Sequence, residues 1–172
     1  MSGVSAPFPG DPNAFWDARF AESGFAYGDQ PNDFLRERAA GLPRGMALCL
    51  AEGEGRNAVH LAQQGFAVLA QDLSGVGLAK ARQLAASRGV AIDTLCCDLA
   101  VFEPQPESFD LVVAIWMHLP PTETLLIEPE VLRQELAELE LLVLEERERW
   151  IEEGPYHRGQ SAVVRVLGRK PG

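Results

Sequence analysis

Residues 46–60, MALCLAEGEGRNAVH, decide the fold of this chain: an apolar run enters a turn built on Gly53 and Gly55 and leaves it as a helix. Glycines at such a junction let the backbone take positive φ and approach a ligand closely, while the first helical turn aims unpaired N–H groups at the same place. A second apolar run, FAVLA, is followed by Asp72, 17 residues beyond Gly55. Dinucleotide-binding and related α/β folds put a ribose-binding acid there. Strand, glycine turn, helix, strand and acid make one βαβ unit, with the glycine turn as its ligand loop.

Charge narrows the ligand. Glu52 and Glu54 alternate with the glycines, so the pyrophosphate of a nicotinamide or flavin dinucleotide would meet like charge in this turn. A cation suits it better. S-adenosylmethionine carries a ribose for Asp72, no phosphate, and a sulfonium and an ammonium that two carboxylates would attract. The run AIDTLCCDL then predicts a strand ending at Asp98, whose carboxylate could accept a hydrogen bond from an adenine amino group.

With these residues in place the chain resembles the class I S-adenosylmethionine-dependent methyltransferases, in particular their small tellurite-resistance-like branch. The matching segments are AEGEGRNAVHLA, VLAQDLSGVGLAKAR, CDLAVF and FDLVVAIWMHLP, with FWDARFAESGFAYGDQPNDFL before them and EGPYHRGQSAVVRVLGRKP at the end. The resemblance implies an α/β fold, a doubly wound and mostly parallel Rossmann-like sheet closed by a C-terminal antiparallel hairpin. It places Ala51, Glu52, Gly53, Gly55 and Asn57 in the cofactor loop, with Ala51, Gly53 and Gly55 against the methionine part. Asp72 would hold the ribose hydroxyls, Leu73 would lie beside the adenine, Asp98 and Leu99 would frame its other side, and Ile115 would close the pocket.

Three departures set this chain apart. The family turn reads Asp-x-Gly-x-Gly-x-Gly, whereas Cys49 and Ala51 stand at its acid and its first glycine. A thiol cannot replace the hydrogen bonds of a carboxylate, and an alanine at positive φ would strain the turn, so weaker cofactor binding is expected. The third departure follows Trp116, where MHLPPTETLLIEPEVLRQELAE leaves room for one helix and no fifth strand before the hairpin begins at ELELLVLEERERW. The expected result is a six-stranded sheet with the last strand beside the fourth, or a dimer that covers the open edge.

The rest of the chain fits one domain over 1–172: a cap segment over 1–40, a cofactor-binding βα core over 41–118, and a helix with the closing hairpin over 122–172. The pattern predicts a short helix from Asn13 or Ala14, a helix from Asp33, strands 46–51, 66–71, 91–97 and 110–116, and helices 55–64 and 75–88, with helices on both sheet faces. At 172 residues and 47% hydrophobic content the composition is that of a globular protein. With no long apolar span or charged leader, a cytoplasmic setting is expected. Cys49, Cys96 and Cys97 lie in apolar runs without metal-ligand spacing, and read as buried free thiols. A formal net charge of −10 disfavours nucleic acid as partner. Eleven glutamates against three arginines over 122–153 concentrate that charge, and read as a solvated surface.

Methyl transfer to a small-molecule acceptor needs positioning more than a fixed catalytic set. His118 is the candidate general base, while Trp16, Tyr27, Met117 and His157 join it as candidates for the acceptor pocket. His60 reads as a satisfied histidine within the first core helix. Two other functions remain open: a degenerate, non-catalytic cofactor-binding homologue, and an NAD(P)-dependent oxidoreductase, for which GEGRNA fits Gly-x-Gly-x-x-Ala.

Overall fold

The computed structural model describes residues 11–116, 129–156 and 158–171. Helix α1 (Pro12–Ala21) starts where the Asp11 carboxylate accepts from the Asn13 N–H. Asn32 does the same for the Phe34 N–H at the head of α2 (Asp33–Ala39). The alternation predicted for the core follows: β1 (Met46–Leu50), α3 (Arg56–Gln63), β2 (Ala67–Asp72), α4 (Gly75–Ser87), β3 (Asp93–Cys96) and β4 (Leu111–Ala114). After residues 117–128, which lie outside the described residues, come α5 (Pro129–Glu135), β5 (Glu140–Glu152) and β6 (Arg158–Arg169).

The four core strands pair in parallel in the order β3-β2-β1-β4. Cys49 stands level with Ala70 on one side and Val113 on the other, so the ends of all four strands open at one edge of the sheet. One face is packed: Ala47, Cys49, Val68, Ala70 and Val113 meet Ala58 and Leu61 of α3, Leu78 of α4, and Leu35 and Ala39 of α2 in one buried cluster. Burying a side chain such as Leu61 contributes about 2 kcal/mol. Among the described residues the expectation of helices on both faces is met on this face alone. On the other, Met46, Leu95 and Val112 are 37%, 36% and 57% exposed.

The hairpin corrects the expected strand order. Strands β5 and β6 pair with each other, antiparallel, from Glu140 opposite Arg169 to Glu152 opposite Arg158, and form their own two-stranded sheet. Among the described residues β4 keeps an unpaired edge. Among the described residues no further strand joins the two sheets: the long ladder satisfies its backbone internally, and the hairpin meets the rest of the fold through its tip, through Arg149, which pairs with Asp33 of α2, through Arg165, which lies over the Phe34 ring, and through Lys170, which pairs with Glu107. The glutamates of β5 lie on a solvated surface, where exposed Glu140, Glu145 and Glu152 form ion pairs with Arg169, Arg165 and Arg158 of β6.

Candidate functional site

The turn after β1 is stabilised by its own glutamates. Glu52 Oε1 accepts from the Asn57 and Ala58 N–H groups, both at 2.8 Å, and thereby caps the start of α3. That helix has Gly55 as its N-cap residue at φ +89, and no side chain of the cap residue serves it. Burial pushes the Glu52 carboxyl up to about 7 against the lowering effect of those hydrogen bonds. Cys49 is fully buried beneath the turn, and desolvation, with Glu52 nearby, holds its thiol well above the ordinary range. It remains a neutral thiol.

Glu54 serves a different purpose from the one its charge suggested. Its carboxylate accepts from the Ala26 N–H at 2.7 Å and from Lys80 Nζ at 2.8 Å. It ties the cap segment to α4 and is already neutralised, so the expected pair of cation-attracting acids reduces to Glu52 within the turn. Asp72 sits at the end of β2, where Oδ2 accepts from the Gly53 N–H and Oδ1 from the Ser74 N–H. Burial raises its carboxyl above the usual range while these bonds lower it. Each oxygen keeps lone-pair capacity for a further donor.

The two glycines have separate reasons. Gly53, at φ +60, faces the cleft, and a Cβ there would come within 2.9 Å of the Phe20 ring. Gly55 does not line the cleft: its missing side chain makes room for α4, since a Cβ would lie 2.5 Å from that of Ala81. Ala51 takes φ +48, which is the strained conformation foreseen for a non-glycine residue at this point of the turn.

These groups line one cleft at the strand ends. Of the residues expected in a cofactor site, it brings together Ala51, Glu52, Gly53, Asn57, Asp72, Leu73, Asp98, Leu99 and Ile115, with Trp16 and Tyr27 of the cap segment. Asp98 lies beyond the end of β3, where its carboxylate also accepts from the Ala100 N–H. Met117, His118 and His157 lie outside the described residues. Pro12, Phe20, Gly28, Arg56, Gln71 and Trp116 are further lining residues that the sequence had not singled out. Gln71 had a visible signal, a lone amide in an apolar strand: fully buried, it accepts from the Ala51 N–H and donates to the Cys97 carbonyl, tying the ends of β1, β2 and β3 together.

Two smaller expectations are corrected. Cys96 is exposed and Cys97 half-buried, because β3 is the edge of the sheet, so Cys49 is the one fully buried thiol of the three. His60 is not a satisfied histidine among the described residues: its buried Nε2 has no hydrogen-bond partner, and burial lowers its basicity.

A cleft of this composition, at the strand ends of a 3-2-1-4 sheet, has close structural counterparts. The chain is similar to a protein solved in work on the conversion of a disulfide bond into a thioacetal group during echinomycin biosynthesis, with 20% identity and a TM-score of 0.67 over 93% of each chain. It is similar to TehB from Haemophilus influenzae, with 14% identity and a TM-score of 0.65 over 92% of this chain and 67% of that one. A third, magnesium protoporphyrin IX methyltransferase from Synechocystis PCC 6803 with bound S-adenosylmethionine, gives 15% identity and a TM-score of 0.58 over 94% and 98%. At these identities the likeness is one of fold. No curated protein matches the sequence. The family model described as methyltransferase domain matches residues 47–133, half of the chain, and this protein belongs to that family.

Proposed function

We propose that the chain is an S-adenosylmethionine-dependent methyltransferase acting on a small-molecule acceptor, and that Ala51, Glu52, Gly53, Asn57, Asp72, Leu73, Asp98, Leu99 and Ile115 line its cofactor site. The observation that carries this is the convergence of Gly53, Asp72 and Asp98 from three strand ends on one cleft, in a chain of the methyltransferase-domain family. The donor set fits the cofactor. Asp72 retains acceptor capacity for ribose hydroxyls, the absent Cβ at Gly53 lets the Phe20 ring of the cap segment close on the turn, and Glu52 faces the cleft with Oε2 accepting no hydrogen bond among the described residues.

When bound, the cofactor supplies an activated methyl carbon on a sulfonium for in-line displacement. The chain's own residues orient the partners and exclude water. Trp16, Phe20 and Tyr27 close over the turn from the cap segment, with Trp16 stacked on Phe20 at 5.6 Å between ring centroids. The acidic composition supports a small acceptor over a nucleic acid. Among the described residues no helix is long and apolar enough to cross a membrane, and a cytoplasmic setting with reduced thiols is proposed. The open edge of β4 fits either a monomer or a homodimer covering that edge.

One observation favours the degenerate alternative: Ala51 at φ +48 places strain and a methyl group in the turn that must meet the cofactor. Calorimetric titration with S-adenosylmethionine, S-adenosylhomocysteine and NADH tests these functions. Saturable binding of the first two is expected, and tight NADH binding instead would overturn the proposal. Binding without product across a broad acceptor panel would establish the non-catalytic function. An Asp72→Ala variant should lose at least about tenfold in cofactor affinity, in keeping with removal of a charged hydrogen-bonding group.

A further inference from the structure

Glu153, in the tip of the hairpin, reaches the cleft from the far end of the chain. Its Oε2 accepts from Arg56 Nη2 at 2.7 Å and from the Trp116 indole Nε1–H at 2.9 Å, and its Oε1 accepts from Asn32 Nδ2 at 3.0 Å. These donors come from three places: the first residue of α3, the chain just past β4, and the residue capping α2. The Arg56 and Glu153 side chains are 9% and 10% exposed, so the pair is screened from solvent and its charges act at close quarters. Around it the tip is seated on the cap segment. A Cβ on Gly154 would lie 2.5 Å from the Gly28 nitrogen, and the Tyr156 hydroxyl donates to the Glu22 carboxylate. Arg56 also donates to the Tyr27 carbonyl, and both Arg56 and Trp116 line the cleft.

An arginine directly beside the glycine turn opposes a cofactor whose reacting group is a cation. We propose that Glu153 is a positioning residue that cancels the charge of Arg56 within the cleft, so that the site distinguishes the sulfonium cofactor from its neutral thioether product through Glu52 and Asp72. This rests on the cofactor assignment above. S-adenosylmethionine and S-adenosylhomocysteine share the adenosine, the carboxylate and the ammonium, and differ at sulfur by a methyl group and one positive charge. The ratio of their affinities therefore reports the charge of the cleft, while a general loosening of the site weakens both alike.

The test is calorimetric titration of the full chain with each ligand at one pH and ionic strength. Glu153→Gln keeps one oxygen acceptor, enough for the Trp116 bond or the Asn32 bond but not both, and leaves the charge of Arg56 uncompensated; it should shift the ratio about fivefold against S-adenosylmethionine, whereas the loss of one neutral hydrogen bond weakens both ligands alike. Arg56→Gln leaves Glu153 uncompensated and should shift it the opposite way. The double variant should return the ratio close to that of the wild type. Single variants that leave the ratio unmoved, or that shift it in the same direction, overturn the inference while the cofactor assignment stands. Where one single variant does not fold, the sign given by the other, with its return in the double variant, decides. Wild-type protein that binds neither ligand overturns both the assignment and this inference.

Discussion

At the Gly53 turn the carboxylates are buried and accept from backbone N–H groups: Glu52 from Asn57 and Ala58, Glu54 from Ala26, Asp72 from Gly53 and Ser74. Along β5 and β6 they are exposed and face arginines across the ladder, as Glu140 faces Arg169 and Glu152 faces Arg158. The first arrangement fixes a backbone shape, because each bond satisfies a main-chain donor that has nowhere else to go. The second holds two strands in register with pairs that water and salt compete for. Glu153 belongs to the hairpin by sequence and to the turn by environment. Substitutions should therefore cost much in the turn and little along the ladder.

The largest effect is expected at Gly55. An alanine there would take a left-handed φ and drive its Cβ to 2.5 Å from the Ala81 Cβ, which combines backbone strain with overpacking between α3 and α4. Gly55→Ala should destabilise the protein by about 3 kcal/mol in denaturant titration. A much smaller loss would mean that the α3–α4 contact relaxes, and that the turn is less rigid than its hydrogen bonding implies.

Next comes Glu52. Its folded carboxyl is raised to about 7 from the ordinary 4.5, so between those values the folded state binds more protons than the unfolded chain. Stability should fall as pH rises from about 4.5 to about 7 and level off above. Asp72, shifted in the same direction, adds to that slope. Glu52→Gln keeps an oxygen for the Asn57 and Ala58 N–H groups but removes the titration, and should flatten the profile by a kcal/mol or more, roughly one pKa unit's worth. In the wild type, preference for the sulfonium cofactor over its thioether product should rise with pH through about 7. An unchanged stability profile in the Gln variant would show that Glu52 does not carry the proton.

Why the turn was more legible than the hairpin follows from the range of the interactions. The β1-turn-α3-β2 unit is set by neighbours in sequence: apolar periodicity, glycines at positive φ and the acid after β2 foretold elements that the structure places within a residue or two. What carboxylates do inside a turn is not written in their spacing. Glu52 and Glu54 look equivalent as alternating charges, yet one caps a helix and the other binds Ala26 and Lys80 across the fold. The hairpin was legible as a hairpin, from its alternation and polar turn. Its placement was not, because the bonds that seat it, from Glu153 to Asn32, Arg56 and Trp116, from Arg149 to Asp33 and from Tyr156 to Glu22, join residues distant in sequence.

A smaller effect on stability is expected from Ala51→Gly. Relieving a φ of +48 is offset by the greater freedom glycine gives the unfolded chain, so stability should stay within about 0.5 kcal/mol. Cofactor affinity should rise nonetheless, because a methyl group leaves the cleft wall. A variant equally stable but unimproved in binding would show that the alanine leaves the ligand's place clear.

The smallest effect should appear on the ladder. Glu140 and Arg169 face each other directly, with two short bonds between the guanidinium and the carboxylate, and the pairing lowers the glutamate and raises the arginine from their usual ranges. Both groups are fully exposed, so the energy gained on pairing is screened by water and offset by the entropy of holding two long side chains. Replacing both by glutamine should leave the melting temperature where it was, and added salt should not separate the variant from the wild type. A clear loss at low salt alone would show that the exposed pairs hold the hairpin's register, and the division between backbone-directed and solvent-screened carboxylates would then lie closer to the tip, at Glu152 and Glu153.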